Sequence, residues 1–103
     1  MKSTNKSRFG SALLVDDSEI DVLINRRLIE ITFFARNIII THNGEEALQF
    51  LKTECTSAQH TPDWIFLDLH LPVMSGFEFI EAFKKLPHYI RCKSKIIILS
   101  VIH

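Results

Sequence analysis

The chain is 103 residues long, 47% hydrophobic, and balances twelve lysine and arginine residues against twelve aspartate and glutamate residues. That suits one globular domain with a modest core, and zero net charge removes the electrostatic reason to expect nucleic acid or a membrane surface as a partner. The two cysteines, Cys55 and Cys92, form no C-x-x-C pair and read as reduced, incidental thiols in loops of a cytoplasmic protein; no apolar run approaches the ~20 residues of a membrane span, and the N-terminus lacks the apolar segment of a secretory signal.

Residues 1–10 are mostly polar and basic and read as a disordered or tag-like terminus, so the expected domain is 11–103. Residues 11–15 (S-A-L-L-V) form a first strand that ends in Asp16 and Asp17. Ser18 can cap a helix, and Ile20, Leu23, Ile24, Leu28, Ile31 and Phe34 recur at helical spacing. After a turn at Arg36 and Asn37, residues 38–41 (I-I-I-T) are a short β-branched strand. Asn43 and Gly44 lead into a second helix with Glu45 and Glu46 in its first turn, where acidic groups favour the positive end of the helix.

A polar loop over 53–61 precedes the apolar run Trp64, Ile65, Phe66, Leu67, which stops at Asp68. A run without alternation reads as a strand buried on both faces. Pro72 and Gly76 permit a turn, Phe79, Ile80, Phe83 and Leu86 share a face of a third helix, and Pro87 ends it. Residues 88–93 read as a connection and 95–100 (K-I-I-I-L-S) as a fourth strand. The aromatic residues Phe77, Phe79 and Phe83 are expected to pack in the core, and His42, His60, His88 and His103 have no spacing that argues for a metal. Strands alternating with helices predict right-handed crossovers and a parallel sheet with helices on both sides.

Three acids, Asp16, Asp17 and Asp68, therefore fall at C-terminal strand ends, the edge at which open parallel sheets bind ligands. If the first and third strands are neighbours, a separation of ~4.8 Å brings these carboxylates within reach of one divalent ion. An all-oxygen site suits Mg²⁺ or Mn²⁺ rather than zinc. Taken singly, each acid is explained as well by helix capping or a solvated strand end. Their coincidence with Ser100 at another strand end favours a site.

The segments L-L-V-D-D-S-E (13–19), N-G-E-E-A-L (43–48), P-D-W-I-F-L-D-L-H-L-P-V-M-S-G-F-E-F (62–79) and I-I-I-L-S (96–100) resemble the receiver domain of two-component response regulators. The resemblance implies a flavodoxin-like, doubly wound α/β fold of sheet order 2-1-3-4-5, which makes the first and third strands neighbours. It implies that Asp68 is the phosphoacceptor, that Asp16, Asp17, Asp68 and the backbone carbonyl of His70 hold Mg²⁺, and that Ser100 is a switch hydroxyl. The implied partner is a histidine kinase or phosphotransfer protein, and the implied role is a phosphoacceptor signalling module rather than an enzyme.

Some of the family pattern is not met. The lysine expected at the end of a fifth strand does not occur, and the fifth strand and last two helices are not in the sequence, which reads as a piece of a longer regulator. Val101 stands where the family has a small residue and Ser75 where it often has an acid; the side chain of His70 is a candidate modulator of dephosphorylation. The bare fourth strand, and the first helix's face of the sheet left without a neighbour, predict a homodimer or higher oligomer through edge pairing or exchanged elements. Two rival functions are an interaction module that keeps the fold without phosphorylation and, ranked last, a Mg²⁺-dependent phosphohydrolase with an aspartyl intermediate, which would want an acid where His70 stands.

Overall fold

The computed structural model describes residues 10–32, 35–69, 71 and 73–99. Its elements run β1 (Ser11–Val15), α1 (Glu19–Ile31), β2 (Asn37–Thr41), α2 (Gly44–Thr53), a 3₁₀ turn (Ala58–His60), β3 (Trp64–Asp68), α3 (Gly76–Phe83), α4 (His88–Lys93) and β4 (Lys95–Leu99). The four strands form one parallel sheet in the order β2-β1-β3-β4. β1 and β3 are neighbours, in a register that pairs Val15 with Leu67.

This order dictates where the helices go. From β1 to β2 the chain steps one way across the sheet, and every later step runs the other way, so right-handed crossovers place α1 on one face and the remaining helices on the opposite face. The side chains record that division. Leu13, Val15, Ile65 and Leu67 pack with Ala47, Leu48 and Leu51 of α2, Phe79 and Phe83 of α3, and Ile90 of α4. Ala12, Leu14 and Phe66, the alternate residues of the same strands, pack with Ile29 of α1. One layer holds thirteen buried apolar residues and the other five, so the core is lopsided toward α2 and α3.

Each long helix starts on a side-chain cap that satisfies an otherwise unpaired amide. Ser18 Oγ accepts from the Asp21 amide at 3.3 Å, and Asn43 Oδ1 from that of Glu46 at 2.8 Å. At α3, Ser75 and Glu78 form a reciprocal capping box, with the Glu78 amide donating to Ser75 Oγ and the Ser75 amide to Glu78 Oε1.

Several expectations change. Residues 88–93, read as a connection, are helical: α3 already ends at Phe83 with Lys84 as its C-cap, so Leu86 lies beyond it and Pro87 does not end it but stands at the N-cap of α4, which puts Cys92 on a helix and not in a loop. The first helix ends at Ile31 with Thr32 as C-cap, and Phe34 lies outside the described residues. Phe77 is 66% exposed, so only Phe79 and Phe83 of the three aromatic residues enter the core. The largest departure concerns α1. Its apolar stripe, Ile20, Leu23, Ile24, Leu28 and Ile31, is 53–69% exposed, while Ile29 is its one buried residue. The helix has two apolar sides, and the wider one faces away from the sheet.

Candidate functional site

Pairing of Val15 with Leu67 puts the next residues, Asp16 and Asp68, side by side where β1 and β3 end. Asp17 follows in the same loop. One carboxylate oxygen from each of Asp16, Asp17 and Asp68 lies within 4.8 Å of the others. Asp16 is buried, Asp68 half-buried and Asp17 exposed, so the cluster opens to solvent at one side.

Asp16 is held from several directions. Its backbone N–H donates to the Thr41 carbonyl at 3.0 Å, extending the β1–β2 pairing past the strand. Its Oδ1 accepts the Ser18 N–H at 3.0 Å, and its Oδ2 accepts from Asn25 Nδ2 at 3.4 Å. Burial pushes the Asp16 carboxyl above its ordinary range; the Ser18 hydrogen bond works against that, and the charges of Asp68, Asp21 and Asp17 add to the rise. An acidic group so disfavoured in its charged form gains from a nearby cation, and an all-oxygen donor set open on one side fits a hard divalent ion that keeps some of its water.

The loop from β3 to α3 is seated by close packing. The Gly76 N–H donates to the Leu69 carbonyl at 3.2 Å, and a Cβ on Gly76 would stand 2.8 Å from Leu69 Cα and 3.0 Å from the Asp68 carbonyl oxygen. Leu71 is buried, and Met74 lies against Gly44 at the start of α2, where a Cβ would meet its side chain and carbonyl at 3.0–3.1 Å. Between them Val73 has φ 61° and is 74% exposed. A β-branched residue in the left-handed region is strained.

Asp16, Asp17 and Asp68 thus come together as expected, whereas His70 and Ser100 lie outside the described residues. Sequence reasoning passed over Asn25 and Thr41. Asn25 falls between the two apolar sides of α1, and a polar residue two turns into a helix whose N-cap follows the acid pair was its only signal.

A four-stranded parallel sheet in the order 2-1-3-4, with helices on both faces, is the flavodoxin-like doubly wound architecture, here with an acid cluster at the carboxyl edge. Residues 12–103 match the response regulator receiver domain, and the chain belongs to that family. It is 35% identical over 74 residues to the polar-differentiation response regulator DivK of Brucella anthropi, an alignment covering 72% of this chain and 54% of that protein. Its fold superposes on a two-component response regulator from Cytophaga hutchinsonii with a TM-score of 0.76 at 27% identity, covering 85% of this chain and 65% of the other. The receiver domain of the histidine kinase CKI1 from Arabidopsis thaliana, solved with Mg²⁺ and BeF₃⁻, shares the fold with a TM-score of 0.73 at 19% identity, covering 93% of this chain and 70% of that one. The chain thus spans about half the length of the DivK relative.

Proposed function

We propose that this receiver domain accepts a phosphoryl group on Asp68 from the phosphohistidine of a histidine kinase or phosphotransfer protein. The observation that carries the reading is the meeting of Asp68 with Asp16 and Asp17 at adjoining strand ends, their oxygens within 4.8 Å. A carboxylate oxygen of Asp68 forms the bond to phosphorus as the bond from phosphorus to the donor imidazole nitrogen breaks; the electron pair leaves on that nitrogen, which is free to take up a proton. Mg²⁺ or Mn²⁺ held by Asp16, Asp17, Asp68 and the main-chain carbonyl of His70 would offset the repulsion between the carboxylate and the anionic phosphoryl group. Asn25 and the Ser18 amide keep Asp16 oriented toward that shared point. Ser100 is the proposed hydroxyl that reports the modification by turning toward a phosphoryl oxygen.

The protein is then a signalling module of the cytoplasm, with chemistry confined to its own phosphorylation and dephosphorylation. No helix among the described residues is long and apolar enough to cross a membrane. Association with further copies is part of the same reading: the outward stripe of α1 is exposed, and β4, with Ile98 39% exposed, lies at the edge of the described sheet.

Incubation with acetyl phosphate and Mg²⁺, followed by intact mass measurement, tests the assignment. One phosphoryl adduct is expected on the wild type and none on Asp68→Asn. An adduct that survives in Asp68→Asn places the chemistry elsewhere, and a wild type that folds, binds Mg²⁺ and gains no adduct supports the non-phosphorylating interaction module instead.

A further inference from the structure

The outer edge of β2 is bare: among the described residues its one strand neighbour is β1. The Asn37 N–H donates to the Gly10 carbonyl at 3.5 Å and the Thr41 carbonyl accepts the Asp16 N–H at 3.0 Å, so both residues turn their main-chain groups toward β1. Successive residues of a strand alternate in direction, so Ile39 also faces β1, while the N–H and C=O of Ile38 and Ile40 point out of the sheet. Edge strands are commonly blunted by a charge, a proline or a bulge. The sequence N-I-I-I-T pairs with β1 without a break and carries none of these, and its three isoleucines are half-buried.

We propose that two copies of this chain pair antiparallel along β2, joining their sheets across a two-fold axis that passes at Ile39. In that register Ile38 lies opposite Ile40 of the second copy, and the two residues exchange N–H···O=C bonds in both directions. The symmetric pair does the same, so every outward N–H and C=O of Ile38 and Ile40 is used in both copies, and Ile39 meets its own counterpart on the axis. The side chains match too. Ile38 and Ile40 lie on the α1 side of the sheet and Ile39 on the α2 side, so each pair sets isoleucine against isoleucine on one face.

Charge favours the antiparallel direction. Arg36 stands just before the strand, and the Glu46 carboxylate, which accepts the His42 N–H at 2.9 Å, stands at its far end. Antiparallel pairing brings the basic start of each strand level with the acidic end of the other, whereas a parallel neighbour would set like charges together. The contact is isologous and closes at two copies. Five residues a side bury much less than the ~1,600 Å² of a standard interface, so the dimer is weak, with a dissociation constant on the order of 0.1 mM. This surface is separate from the α1 stripe and the β4 edge, and pairing through it does not depend on phosphorylation of Asp68.

Sedimentation of the unphosphorylated chain, up to a concentration about tenfold above that constant, should show monomer giving way to dimer. Ile38→Pro removes an outward N–H and no bond to β1; it should stay monomeric with an unchanged circular dichroism spectrum. Leu23→Lys on α1 and Ile98→Lys on β4 should dimerise as the wild type does. Cross-linking reads the register in a Cys92→Ser background, Cys55 being buried. With oxidised glutathione, Ile39→Cys should couple to its counterpart, since Cα atoms of a non-hydrogen-bonded pair stand ~4.5 Å apart, and Ile98→Cys should not. The cross-link decides alone if Ile38→Pro unfolds. A wild type that stays monomeric, a dimer that survives in folded Ile38→Pro, or Ile39→Cys coupling no faster than Ile98→Cys overturns the proposal. Loss of the dimer in Leu23→Lys or Ile98→Lys also overturns it and assigns association to α1 or β4; the phosphoryl adduct on Asp68 is measured independently of all these outcomes.

Discussion

Asn25 Nδ2 donates to Asp16 Oδ2 across the first two turns of α1, the helix thereby bracing the acid that lies deepest in the site. The bond is long at 3.4 Å, so its contribution is modest beside the ten- to hundredfold of a tightly held outer ligand. Asn25→Ala should weaken Mg²⁺ binding by roughly threefold to tenfold and slow phosphorylation by acetyl phosphate to match. Mg²⁺ titration calorimetry reads the first effect and the time course of the mass adduct the second.

Asp16 also sets a pH dependence. Its folded-state pKa is raised, burial being the main cause, so over the interval above the unfolded value of about 4 the folded protein holds a proton that the unfolded chain has released. The stability of the metal-free protein from this group is therefore present below that interval and is lost as pH rises through the raised value. Asp16→Asn, which keeps an acceptor for the Ser18 amide, should melt at a higher temperature than the wild type at neutral pH in a chelator, with a flatter dependence on pH. Added Mg²⁺ should raise the melting temperature of the wild type and leave that of the variant nearly unchanged.

Val73 stores strain in the loop that follows the proposed phosphoacceptor. A non-glycine residue with φ 61° costs about 1–2 kcal/mol, and its exposed side chain recovers little of that by packing. Asparagine tolerates the same backbone, so Val73→Asn should stabilise the protein by about 1 kcal/mol and raise the melting temperature by roughly 4–8 °C. Differential scanning calorimetry checks this.

Gly76 is held to glycine by a neighbour's backbone, not by its own dihedral angles. A methyl group there meets Leu69 Cα at 2.8 Å and the Asp68 carbonyl at 3.0 Å, neither of which can rotate aside. Gly76→Ala should cost about 1–3 kcal/mol in denaturant unfolding, despite alanine's better helix propensity. Because the displaced atoms belong to Asp68 and Leu69, it should also reduce acetyl-phosphate labelling more than a stability loss of that size predicts.

The parts of the fold that followed from sequence were those in which one local pattern had one outcome. The uninterrupted run from Trp64 to Leu67 became a strand covered on both faces, and Asp16, Asp17 and Asp68 met because the expected strand neighbours were the actual ones. Patterns with two outcomes misled. Proline after a helical stretch can mark the end of that helix or the start of the next, and Pro87, four residues beyond the end of α3 at Phe83, marks the start of α4. A helical repeat of leucine and isoleucine marks an apolar stripe without saying what it faces, and in α1 only the chirality of the crossover and the placement of Val22 and Ile29 reveal which side meets the sheet. Asn25 was illegible for a different reason: its hydrogen bond spans nine residues and depends on how α1 leaves the strand.

The thin layer between α1 and the sheet has a dynamic consequence. With Ile29 in its last turn as its one buried residue, α1 is tethered by that side chain and by the hydrogen bonds of Ser18, Asp16 and Asn25. Amides along this helix should exchange with deuterium through local opening, at a free energy well below that of the β1–β3 ladder. Opening would also dissolve one wall around Asp16, so a cation in the acid cluster and the helix would each favour the ordered form of the other. Under the metal reading, Mg²⁺ should slow exchange in α1 while leaving α2, which packs Ala47, Leu48 and Leu51 into the larger core, at its original rate.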